Sequence, residues 1–314
     1  MISLLLAAAT MAGTATDAVD PRVAAKASVL RDATQSEQAR ADAAGEIANF
    51  GAAAKPALPD LVKALDGEQP EPVRRNAAEA LGRLAFATPD VIAGLCRALS
   101  DPSSVVREKA ALAAGRLGAP AVPALVQVLQ TQQGDARGAA AHALAEIGAD
   151  ARPGTDALVE AARDSNVETR AQSVAALGLV AAASPAVVKA LGAALQDRDT
   201  GVRRNALLSI GALGAPARET LPAVVSALKD EEPATRKAAA MALGSFGSAS
   251  APAVPALVEA LKDENEYTLE QVVHALGAIG KPARPAAAPL KALLKHEEDE
   301  IREAAEEALS HIEG

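Results

Sequence analysis

The sequence predicts an all-α fold, a right-handed α-solenoid of about nine two-helix repeats with a period of 33 residues. Three observations carry that expectation. A motif opened by an arginine returns at near-constant intervals along the chain. After each arginine, small and apolar residues fall three, four, six, seven and ten positions on, which is one stripe of an α-helix, and the period-two alternation of strands is missing. Glycine and then proline punctuate the copies, as they do where one helix stops and another begins.

The N-terminus comes first. Residues 2–12 read ISLLLAAATMA, too short for a membrane-spanning helix of about 20 residues. The run suits the apolar part of a secretory signal followed by the small residues Gly13 and Ala15, although no Lys or Arg precedes Arg22. Two readings stand: residues 1–16 are a signal peptide of an exported or periplasmic protein, or an apolar segment covering the first repeat of a cytoplasmic one. Residues 17–314 are expected to be a single repeat array with no transmembrane segment. The one cysteine, Cys96, suits either redox compartment.

The copies then begin at Arg40, Arg74, Arg107, Arg137, Arg170, Arg203, Arg236, Leu269 and Arg302, with spacings of 34, 33 and 30 and then 33 throughout. In the seventh copy the apolar stripe is Ala239, Ala240, Ala242, Leu243 and Phe246, and this segment is the second helix of its repeat. Gly51, Gly118, Gly148, Gly214, Gly247 and Gly280 close copies, and prolines such as Pro120, Pro123, Pro252 and Pro255 are expected to open the next first helix. Helices lined by Ala and Gly approach closely, so a bulky side chain at Ala111 or Ala239 would overpack them. The aromatic content of 1%, in a chain that is 50% hydrophobic, follows from that spacing.

Composition removes several function classes. The aliphatic content excludes a disordered chain, and one cysteine excludes a disulfide scaffold. A net charge of -9 and the lack of stacking side chains disfavour nucleic acid. Most of that charge sits between Glu297 and Gly314, where eight acids face the single base Arg302. The acidity therefore suits a polar cap on the last repeat and says little about partners. No Gly-rich phosphate loop, nucleophile elbow or zinc motif is present.

An aspartate stands six residues before the arginine in the pairs Asp101/Arg107, Asp164/Arg170, Asp197/Arg203 and Asp230/Arg236. With these residues the chain resembles the HEAT-repeat family, most of all the short bacterial HEAT-like repeats of the phycobilin-lyase type. The resemblance implies that these eight residues form a structural ladder between neighbouring units, and not a catalytic set. An acid before the second helix would also cap its free N–H groups. Two copies depart from the pattern. Repeat 8 has Leu269 in place of the arginine, and repeat 4 has Thr131 in place of the aspartate where the spacing contracts. The segment from Thr131 to Asp135 is either an irregularity in curvature or neutral drift.

His142 and His274 occupy the same site four repeats apart, on the order of 40 Å, so they cannot share a metal with bonds of about 2 Å. Only His296-Glu297 matches the His-Glu pairs of the HEAT-like deoxyhypusine hydroxylase. In the resembled architecture the second helices line the concave face, and positions two, five and nine after the arginine point into it. This gives Arg83, Lys109, Arg116, His142, Gln172, Leu179, Asn205, Leu208, Met241, Gln271 and His274 as candidate partner-binding residues. They make an apolar strip (Leu179, Leu208, Met241) edged by amides, with a basic patch on its N-terminal side. The alternative is that the leucines pack between helices and expose little. The expected function is a non-catalytic scaffold that binds a protein or peptide, without cofactor. The alternative is a phycobilin-lyase-like enzyme or lyase subunit acting on a partner protein.

Overall fold

The computed structural model describes residues 19–314; the expected leader, residues 1–16, lies outside the described residues. Among the described residues eighteen α-helices follow one another in nine antiparallel pairs. The first three pairs are α1 (Pro21–Arg31) with α2 (Glu37–Ile47), α3 (Leu58–Lys63) with α4 (Glu71–Leu84), and α5 (Pro89–Ala98) with α6 (Ser104–Arg116). Next come α7 (Val122–Thr131) with α8 (Asp135–Ile147), α9 (Thr155–Ala161) with α10 (Val167–Val180), and α11 (Pro185–Ala194) with α12 (Thr200–Leu213). The last three are α13 (Leu221–Ala227) with α14 (Pro233–Ser245), α15 (Val254–Ala260) with α16 (Glu266–Ile279), and α17 (Ala287–Leu293) with α18 (Asp299–Glu313). Among the described residues no strand occurs, and no single helix is long and apolar enough to cross a membrane.

The punctuation differs in detail from the expectation. Gly214 closes α12 at φ 65° and ψ -149°, a region open to glycine and to almost nothing else. A short 3₁₀ segment follows, and Pro216 lies in it; only the second proline, Pro222, enters the first turn of α13. Repeats 3 and 6 dispense with glycine. There Thr88 and Ser184 cap α5 and α11 through side-chain oxygens that accept from the Val91 and Val187 N–H groups.

Successive second helices lie against one another along their length, whereas successive first helices touch more sparsely. The closer layer takes the shorter path, so the even-numbered helices line the concave side of the α-solenoid. The Ala-Leu-Gly element makes this approach possible. A Cβ placed on Gly82 would lie 2.8 Å from the Ala113 Cα, and one on Gly178 would lie 2.7 Å from the Ser209 Cα. The buried core is a continuous column of Ala, Leu and Val. At its end α18 buries Ile301, Ala304, Ala308 and Ile312 and turns Glu303, Glu306 and Glu307 to solvent.

Candidate partner-binding face

An arginine–aspartate ladder frames the face. Arg170 donates from Nε and Nη2 to both carboxylate oxygens of Asp197, at 2.7 and 3.0 Å. Its Nη1 donates to the Asp164 carbonyl of its own repeat at 2.9 Å. The same pattern joins Arg203 to Asp230 and Arg236 to Asp263. Arg74 clasps Asp101 at 2.6 and 2.8 Å, and Arg137 pairs with Asp164 through one nitrogen. Residues six apart are thus linked through a backbone carbonyl, while the side chains pair with the next repeat. Contrary to the expectation from the sequence, the aspartates do not cap the second helix. Asp197 accepts the Asp199 N–H inside the turn, and Asp199 is the residue that caps α12.

From repeat 5 to repeat 8 the paired groups Arg170/Asp197, Arg203/Asp230 and Arg236/Asp263 are held in their charged forms. Hydrogen bonds from Arg203 are the largest influence on Asp230 and keep its carboxyl below the usual range. Burial pushes Asp197 upward, but the Arg170 hydrogen bonds and the Asp199 N–H together leave it lowered. The hydrogen bonds to Asp197, Asp230 and Asp263 raise the pKa of Arg170, Arg203 and Arg236. Such saturated pairs are poor proton-transfer groups. Cys96 is no better a nucleophile, because burial raises its thiol to about 11.

The ladder opens on a substitute rung, Arg40 donating to the Gln69 side-chain carbonyl, and has two further irregular junctions. Thr131 bonds its own helix at the Gln127 carbonyl, and Arg107 turns instead to Asp135, the first residue of α8, at 2.7 Å. Between repeats 8 and 9 both halves of a rung are missing. Leu269 offers no guanidinium, and His296 stands where the aspartate should be. Leu269 stands out in the sequence, whereas His296 is found only by counting six residues back from Arg302.

On the face itself, Leu179, Leu208 and Met241 are exposed over 61%, 45% and 44% of their surfaces. None is packed between helices. The amides on the rim are partly committed: Asn205 Nδ2 donates to the Ala171 carbonyl at 3.1 Å, and Gln172 Nε2 to Glu168 at 2.8 Å. Gln271 is half-buried. The basic patch is also engaged. Lys109 pairs with Glu79 at 3.1 Å, and Arg83 donates to Asn49 at 2.7 Å. Among the described residues Arg116 has no polar partner. His142 and His274 each stand 3.6 Å from a glutamate on their own helix, Glu146 and Glu270.

A cavity of about 530 Å³ opens in the face at repeats 3 to 5, and His142 and Gln172 are in its lining. Its cause is legible in the chain. Gly138 and Ala139 follow Arg137, where repeat 3 carries Glu108 and Lys109 and repeat 6 carries Arg204 and Asn205. A second cavity of about 540 Å³ lies against Thr131, Gln132 and Gln133, and Arg107 and Asp135 line both. Gly134, at φ 61°, turns the chain into α8 at this junction.

Comparison with known proteins matches the HEAT repeats family over residues 25–113, 92–153, 155–224 and 221–310. No curated protein matches the chain. Among solved structures, importin beta is similar with a TM-score of 0.63 at 18% identity, over 93% of this chain and 46% of that one. The chain thus spans less than half the length of importin beta. An engineered protein is matched over 93% of this chain and 99% of its own, at 19% identity and a TM-score of 0.44.

Proposed function

The chain belongs to the HEAT-repeat family, and from that premise we propose that it is a non-catalytic scaffold that holds a protein or peptide on its concave face. The observation that carries this reading is the row of exposed apolar side chains, Leu179, Leu208 and Met241, on successive second helices. Apolar anchors surrounded by polar groups are what a docked peptide requires. A nucleic-acid backbone is a poorer fit, since the strip that carries the anchors is apolar and Lys109 of the basic patch is already neutralised by Glu79. The ladder supports the same function by holding consecutive repeats in fixed relation, so that the anchors keep their spacing.

The test uses the full chain as bait in a lysate of its native host, compared with Leu208→Asp. The variant should retain its helical circular dichroism and lose the captured partner. Capture at the wild-type level by Leu208→Asp would remove the face from consideration.

A further inference from the structure

We infer that the cavity at the contracted junction receives a basic side chain, arginine or lysine, from the protein or peptide held on the face, and so sets that partner's register. The inference deepens the scaffold reading and rests on it. Two features of the cavity lead to a cation.

The first is its charge. Arg107 is spent: it donates to Asp135 and to the Asp101 and Pro102 carbonyls. With Arg107 and Asp135 cancelling each other, the lining keeps two uncompensated carboxylates, Glu108 on α6 and Glu168 on α10. They flank α8 at Gly138, where no side chain stands between them; a Cβ there would lie 3.4 Å from the Glu168 Cγ. The second feature is the direction of the hydrogen bonds. Gln172 spends one of its two amide N–H groups on Glu168 and keeps its carbonyl oxygen, so its acceptors add to the two carboxylates. The walls therefore offer acceptors in excess of donors. A guanidinium or ammonium satisfies them with charge-assisted bonds. An acidic guest would be repelled, and an apolar one would desolvate the carboxylates without compensation.

Position turns the cavity into a register device. His142 lies in its lining and occupies the helix position that Leu208 and Met241 occupy in repeats 6 and 7, five residues after the motif arginine. The cavity and the apolar strip thus share one face. Repeats 4 and 6 are separated by roughly 20 Å at about 10 Å per helix layer. An extended peptide covers that distance in about six residues at ~3.3 Å each. The expected partner motif is a basic residue about six positions from the apolar residue that meets Leu208.

A random peptide library displayed on phage and selected on the full chain tests this. The wild-type chain should select apolar residues together with Arg or Lys at a fixed offset. Glu108→Gln/Glu168→Gln removes both charges at exposed positions, so the helical signal should be unchanged. That variant should select the same apolar residues without the basic one. Replacing the basic residue of a selected peptide by Ala should weaken its binding to the wild-type chain about tenfold and leave its binding to the variant nearly unaltered. An undiminished basic preference on the variant, or apolar peptides without a basic position on the wild type, overturns the inference and leaves the scaffold reading standing. Selected peptides that bind Leu208→Asp equally well, or no selected peptide at all, overturn the scaffold reading and this inference with it.

Discussion

Substituting alanine for the motif glycine should change sign along the array. Gly82, Gly178 and Gly211 each stand eight residues after a motif arginine, within the second helix of their repeats. On helix propensity alone, Ala is favoured over Gly by about 1 kcal/mol. What opposes this gain is the neighbouring helix. At Gly82 the new methyl would stand 2.8 Å from both Cα and Cβ of Ala113, whereas carbon atoms rest at about 3.5–4.0 Å. Helices α4 and α6 would have to part by close to an ångström, an overpacking cost of about 1–3 kcal/mol. At Gly178 the methyl also meets the Ser209 hydroxyl, which is buried and donates to the Val174 carbonyl. At Gly211 the nearest atom is the Ala242 Cα at 3.6 Å, an ordinary contact. Gly211→Ala should therefore stabilise by about 0.5–1 kcal/mol and Gly82→Ala should be neutral to destabilising, the pair differing by about 1–3 kcal/mol. Urea unfolding followed by far-ultraviolet circular dichroism measures both. Hydrogen exchange should place the Gly82→Ala loss at the junction of repeats 2 and 3, because repeat arrays couple through nearest neighbours. Equal shifts of the same sign in the two variants would refute the packing argument.

Other expectations concern the ladder. Arg170→Met strands the Asp197 carboxylate, whose side chain is 13% exposed, and should cost about 3–5 kcal/mol in urea unfolding. Adding Asp197→Asn, which keeps an acceptor for the turn, should restore most of that loss; no recovery would mean that the arginine acts through packing alone. Acid should weaken the array through the same groups. Asp197, Asp230 and Asp263 titrate below their ordinary value of 3.8, so the stability they supply is complete above about pH 4 and is lost as pH falls through the lowered values. Thermal melting of Asp230→Asn should accordingly vary less with pH in that acid range than melting of the wild type, and parallel curves would contradict it.

Much of this architecture was legible in the sequence because a repeat states its rules several times. The period, the helical stripes and the closing glycines each recur, so any single deviation stands out against the others. The bond pattern of the ladder was not legible. Asp164 and Arg170 are neighbours in the chain, but Arg170 needs an acceptor at the reach of its guanidinium, and only the Asp197 carboxylate of the next turn is there. The candidate face was legible as a set of positions, and Leu179, Leu208 and Met241 do reach solvent. What the residue types could not reveal was prior commitment. Lys109 and Asn205 look like rim groups in a sequence, yet each is turned toward the preceding second helix by a partner distant in the chain. The cavity follows from an absence, two small residues after Arg137, which has no motif of its own.

The one-way reach of the ladder bears on how such a chain can change length in evolution. Each unit from repeat 5 to repeat 7 carries a donor for its successor and an acceptor for its predecessor, at one constant interval. A unit lost or duplicated there leaves no orphan. Excising residues 204–236 would bring Arg203 to the place of Arg236, opposite Asp263, and every remaining rung would close. The shortened chain is expected to keep its circular dichroism per residue, and a fall in that signal would show that the units are not interchangeable. Length is then a quantity that duplication can tune in steps of one repeat, each adding or removing roughly 10 Å of concave surface.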